Sequence, residues 1–177
     1  MSAGAARVLT AAADRVAAVA GVISGAAVVA MTVLVTVEVL SRDLFGRSTL
    51  IADEMSGYLL VALTFLGLAP TLRGGGFIRI DTYRARLRGR GRLALELAIH
   101  LLALGYSVLL DWYLWRLALD AWRLGTTSIQ VSRTPLWIPQ ACMAVGGLLL
   151  VFDLLARLVV VVAGQSPDPA APASTEI

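Results

Sequence analysis

The sequence predicts an all-α integral membrane protein with four transmembrane helices. Three observations carry that prediction. The first is composition. Of 177 residues, 58% are apolar and 15% charged, with a mean hydropathy of +0.80. A soluble domain is roughly 45–50% apolar and about 25% charged. This chain has too little polar surface to clothe a water-soluble domain of its size, and far too much apolar surface to stay disordered. The second is the length of the apolar runs at 16–37, 55–72, 97–110 and 134–152, most of them near the ~20 residues that cross the hydrocarbon as a helix. The third is their period. Backbone groups in lipid must be satisfied internally, so only helices and closed barrels span, and no run alternates as barrel strands do.

The first span is expected at about 16–40. Its run of 22 uncharged residues follows Arg7 and Arg15 and continues into Glu38 and Arg42. A cleaved signal would have an apolar region of about 7–15 residues ending in a cleavage site, so the segment reads as a retained helix. Ala17, Gly21 and Gly25 recur every four residues. Small residues at that spacing let another helix approach closely, either within the chain or from a partner. Glu38 and Arg42, at i and i+4, form a favourable helix ion pair at the end of the span.

The second span is expected at 53–73. Asp53 and Glu54 occupy its first turn, where negative charge complements the helix dipole. Adjacent residues point about 100° apart on a helix, so the two carboxylates are poorly placed for shared acid–base work. Pro70 is expected to kink the span, and Gly74, Gly75 and Gly76 to end it. This glycine run matches neither GxxxxGK[ST] nor GxGxxG after a strand.

The third span is expected at 93–124 as one long, tilted helix. His100 is the polar residue of its apolar run, and the following segment opens with Asp111. Trp112, Trp115, Leu119 and Trp122 then fall within an arc of about 80°, with Arg116, Asp120 and Arg123 on the adjacent arc. Tryptophan at this density marks a membrane–water interface. The stretch is therefore expected to be an amphipathic extension at the outer surface, anchored in lipid or offering a platform to an outside partner. The fourth span is expected at 134–160, with Cys142 as a small apolar filler. Together the spans make a single membrane domain, 1–163. The Pro/Ala/Ser-rich tail, 164–177, is expected to be disordered.

Orientation follows from the basic residues, all fifteen of which are arginine. With both termini inside, the inner side carries ten and the outer side five, because seven lie in the loop between spans two and three. The positive-inside rule then gives N-in and C-in. These arginines flank apolar runs and form no basic stripe of a nucleic-acid binder. One cysteine and one histidine exclude an intrachain disulfide and Cys- or His-rich metal sites. No catalytic residue, metal site, cofactor or substrate site is expected. The lack of charge inside the runs argues against an enzyme or a self-sufficient pump.

Three stretches resemble one family. TVEVLSRDLFGRSTLIADEMSGYLLVALTFLGLAPTLR (36–73) is similar to a span–Arg–short loop–Glu–span–Gly–Arg arrangement through Arg42, Glu54, Gly67 and Arg73. FIRID (77–81), ending in Asp81, is similar to a His-Ile-x-Val/Ile-Asp motif, with Phe77 where histidine is frequent. LGTTSIQVSRTPLWIPQACMAVG (124–146) resembles a Gly, Ser/Thr, Pro-x-Trp-x-Pro entry to a fourth span. In this order they resemble the small permease subunit (DctQ type) of the tripartite ATP-independent periplasmic (TRAP) transporters. The resemblance implies an accessory, scaffolding subunit in a bacterial inner membrane, paired with a large permease subunit that carries the substrate and sodium sites. The system would import an organic acid delivered by a periplasmic binding protein, driven by an ion gradient. The expected interface or structural residues are Gly21, Gly25, Glu38, Arg42, Glu54, Arg73, Asp81, Trp112 and Trp115. Two alternatives stand beside this reading: the small membrane subunit of a tripartite tricarboxylate transporter, and an autonomous proton-coupled exporter, which would need a carboxylate in mid-span.

Overall fold

The computed structural model describes residues 3–46, 48, 51–75 and 90–162. FIRID with Asp81, most of the arginine-rich loop and the 164–177 tail lie outside the described residues. The described elements are α1 (Ala3–Phe45), α2 (Ala52–Leu66), α3 (Leu68–Arg73), α4 (Arg90–Leu124) and α5 (Trp137–Val162). With α2 and α3 taken together as Ala52–Arg73, four segments are long and apolar enough to cross a membrane. Among the described residues there is no strand, only an isolated bridge between Thr127 and Pro135.

Local chemistry explains the breaks. Pro70 has no N–H, so the Leu66 carbonyl lacks its usual helical donor and α2 gives way to α3 at Gly67. The backbone stays helical there, with φ −73° and ψ −15° at Gly67, and Thr71 N–H donates to Gly67 O at 3.1 Å. The end of α4 is closed by Gly125 at φ +61°. Its N–H donates to Trp122 O (3.2 Å) while Thr126 N–H donates to Ala121 O (3.1 Å). That pattern satisfies two orphan carbonyls and needs a left-handed residue.

Two contacts set the register of α1 antiparallel to α2–α3. Ser24 Oγ donates to Leu63 O at 3.4 Å, and the Cβ that Gly21 lacks would meet Pro70 Cβ at 3.5 Å. The buried stripe of α1 is Ala13, Ala17, Ala20, Ser24 and Ala27. It shares Ala17 with the expected small-residue stripe but is rotated from it. Gly21 is half-buried, and Gly25 faces out with nothing within 4 Å of a would-be Cβ.

Helix α5 is the hub, packing against α4, α2, α1 and α3. Its centre carries two adjacent glycines. A Cβ on Gly146 would lie 2.5 Å from the Phe65 carbonyl carbon and 2.6 Å from its oxygen, so the α2 backbone rests on this residue. A Cβ on Gly147 would lie 2.6 Å from Asp111 Oδ1 of α4. Helix α4 packs substantially on α5 alone, through a stripe of Ser107, Asp111, Leu114, Ala118 and Ala121. Trp122 meets Trp137 edge to face, with centroids 4.8 Å apart. The tryptophan-rich stretch therefore runs alongside the first half of α5.

These contacts separate the two kinds of glycine. Gly146→Ala is expected to force α2 away from α5 at a cost of about 1–3 kcal/mol, while Gly25→Ala costs nothing of this kind. Thermal midpoints of the purified variants in detergent, lowered for the first and unchanged for the second, check this.

Candidate functional site

Polar side chains gather at three levels of the bundle. The level at the α1–α2 and α4–α5 connections holds Glu38, Arg42 and Glu54 of the expected residues. Ser48 Oγ donates to Glu38 Oε1 at 2.5 Å, and Arg42 Nη2 reaches the same oxygen at 3.5 Å. Glu38 is buried, whereas the Arg42 side chain is 66% exposed. The expected Glu38–Arg42 pair is present at that long distance, and an exposed pair of this kind is worth under about 1 kcal/mol. The serine hydroxyl holds the carboxylate more closely.

Glu54 is buried at the start of α2 and ties that helix to the α4–α5 loop. Tyr58 Oη donates to its Oε1 at 2.6 Å, and Ser132 Oγ to its Oε2 at 2.5 Å. Ser132 belongs to the α4–α5 loop, so Glu54 fastens that loop to α2. The loop is also self-supporting: Ser128 N–H donates to Thr134 O (2.9 Å) and Leu136 N–H to Thr126 O (3.1 Å). Beside Glu54 lies an open groove of about 530 Å³ lined by Asp53, Tyr58, Ser128, Gln130 and Leu136. Carboxylate and hydroxyl groups line it.

The opposite level is an ion-pair cluster. Arg73, at the end of α3, bridges Asp14 of α1 through Nη1 and Asp153 of α5 through Nε. Asp153 also accepts from Arg157 Nε at 3.3 Å, and Arg157 Nη2 donates to Leu72 O at 2.7 Å. Arg157 thereby caps the carbonyl end of α3, where positive charge meets the negative end of the helix. Asp153 and Arg157 are buried. Arg73 was expected as an interface residue, and here it is engaged within the chain. Its partners Asp14 and Asp153, and Arg157 beside them, were not anticipated. The i, i+4 spacing of Asp153 and Arg157 inside an apolar stretch was the available signal.

The third level corrects the reading that the spans carry no charge. Asp111 was placed just past the third apolar run, at the start of the interfacial extension of the helix expected at 93–124. It instead packs against Gly147, ten residues into the 26-residue helix α5. Asp111 is buried, and among the described residues its Oδ1 has no hydrogen-bond partner. The expected helix ran on to 124, but ending the apolar run at Leu110 assigned Asp111 to its interfacial part. The argument that an exporter is excluded for want of a mid-span carboxylate falls with it.

Trp112 and Trp115 are exposed on α4, and Gly25 on α1 is open. Asp81 lies outside the described residues.

The inner logic of the cluster makes an asymmetric prediction. Arg157→Met leaves Asp153 short of a buried partner and uncaps α3, at an expected cost of about 3 kcal/mol or more. Asp14→Asn alters a carboxylate that is 64% exposed and is expected to cost under about 1 kcal/mol. Equilibrium or thermal unfolding in one detergent, run on both variants, checks the ratio.

No curated protein matches the chain. The family model described as tripartite ATP-independent periplasmic transporters, DctQ component, matches residues 31–164. That region takes in the far third of α1, the Glu38 and Glu54 levels, and all of α2 to α5 except the interval outside the described residues. With four segments long and apolar enough to cross a membrane and a match covering most of its length, the chain belongs to the DctQ component family of the tripartite ATP-independent periplasmic transporters.

Proposed function

We propose that the protein is the small permease subunit of a TRAP transporter and acts as the fixed scaffold beside a large permease subunit. That partner would import an organic acid handed over by a periplasmic binding protein. The observation that carries the reading is the family match across residues 31–164. The internal engagement of Glu38, Glu54, Arg73, Asp153 and Arg157 is what a rigid support would use, since the two glutamates hold connecting segments and the Arg73–Asp153–Arg157 cluster joins helices. Family membership, and no longer the absence of a carboxylate, is what favours this reading over an autonomous exporter.

The proposal includes a membrane frame. Glu54 and Arg73 are nineteen residues apart, about 28 Å of helix, and Trp137 and Asp153 are sixteen apart, about 24 Å. Two polar levels at that separation match the edges of a hydrocarbon core of about 30 Å. With N-in and C-in, the Glu54 level faces the periplasm and the Arg73 level the cytoplasm. The tryptophan-rich part of α4 then lines the outer half of a span, in place of an extension above it. Arg42, which is exposed, and Asp81 are the charged positions offered to partners.

Two measurements test this. Tagged and expressed with its neighbouring genes, the chain is expected to co-purify 1:1 with a much larger multi-span protein, and vesicles lacking this chain are expected to lose binding-protein-dependent uptake. A stable homo-oligomer that transports by itself would overturn the reading. Reporter fusions at the C-terminus are expected to be active only when the reporter works in the cytoplasm.

A further inference from the structure

Helix α4 presents an unusual face to its surroundings. Its buried stripe of Ser107, Asp111, Leu114, Ala118 and Ala121 all points at α5. At 100° per residue, Arg116 lies diametrically opposite the centre of that stripe. It is exposed, and among the described residues it makes no hydrogen bond or ion pair. Asp120, one turn on, is exposed and unpaired in the same sense.

Depth makes this costly. Trp122 is level with Trp137, at the start of α5, and Arg116 is six residues from Trp122 toward the middle, about 9 Å deeper. Side chains on a helix lean toward its N-terminus, which on α4 is the Arg73 side of the bundle. The Arg116 stem thus leans away from the nearer surface, and snorkelling to headgroups works against its geometry. A guanidinium facing hydrocarbon at this depth is expensive, and arginines within spans pair with protein groups. On the same face Gly105 has nothing within 4 Å of a would-be Cβ, so a neighbouring helix backbone can approach closely there. Leu109 and Trp112, 56% and 63% exposed, lie between the two.

We propose that this face of α4, running from Gly105 to Arg116, is the seat of a helix of the large permease subunit that offers a carboxylate to Arg116. The proposal rests on the scaffold reading and adds to it which helix the partner covers. The apolar outer face of α1, including Val22 and Val29, faces lipid in this arrangement.

The test uses the chain co-expressed with its large permease subunit. A photo-crosslinking amino acid is placed at Leu109 or Trp112 on α4, and at Val22 or Val29 on α1. Adducts to the large subunit are expected from the α4 positions and lipid adducts from α1. In parallel, Arg116→Leu and Arg116→Glu are expected to reduce co-purified large subunit about tenfold, as loss of an anchoring residue does, with Arg116→Lys retaining more. Because Arg116 makes no hydrogen bond or ion pair among the described residues, the thermal midpoint of the isolated variants is expected to stay unchanged, which separates lost docking from misfolding. Protein adducts from α1 only, lipid adducts at Leu109 and Trp112, or undiminished co-purification of both variants would overturn the proposal. If the unmodified chain brings down no large subunit at all, the scaffold reading itself fails.

Discussion

Helix α5 touches two neighbours at adjacent residues, and the arrangement of the bundle depends on the two hydrogens that stand there in place of side chains. Gly146 admits the α2 backbone at Phe65, and Gly147 admits the Asp111 carboxyl of α4. In lipid no hydrophobic force draws helices together, because the tails are as apolar as leucine. Close approach has to be built from small residues and from polar groups that find partners. The double glycine supplies the first at the centre of the bundle. Glu54 and the Arg73–Asp153–Arg157 cluster supply the second at its two ends.

This division of labour orders the rest of the molecule. Alanines line the buried side of α1, so it too approaches through small residues, with Ser24 bonded to the carbonyl of Leu63 near the place where Pro70 breaks the neighbouring helix. The connections are similarly tied down. Ser132 reaches Glu54 from a loop whose own backbone is hydrogen-bonded across Ser128–Thr134 and Thr126–Leu136. The helix α4 is the exception: it has one substantial partner and leaves the remainder of its circumference uncovered.

Much of the fold was legible in the sequence, because membrane solvation acts on composition and run length. The four segments, the break near Pro70 and the ends at Gly74 and Gly125 follow from local chemistry. The site was less legible. Glu38 with Arg42 and the first-turn Glu54 were recognisable from helix spacing. Ser132 and Asp14 were not, since they become partners only through tertiary packing, 78 and 59 residues from the groups they meet; Tyr58, at i+4 from Glu54 on the same helix, was within reach of helix spacing. Asp111, Asp153 and Arg157 were missed for a different reason. A run of apolar residues ends at its first charge, but a helix supported by an adjacent helix does not.

The spacing of the two polar levels has a mechanical consequence. Each is fastened across more than one helix, by Ser132 to Glu54 at one end and by Arg73 to Asp14 and Asp153 at the other. The helices therefore cannot slide past one another to shorten or lengthen the apolar belt between them. In a bilayer thinner or thicker than about 30 Å the lipid, and not the protein, has to deform, at a fraction of a kcal/mol per Å. The bundle is built as a ruler of fixed length set against the thickness of the membrane around it.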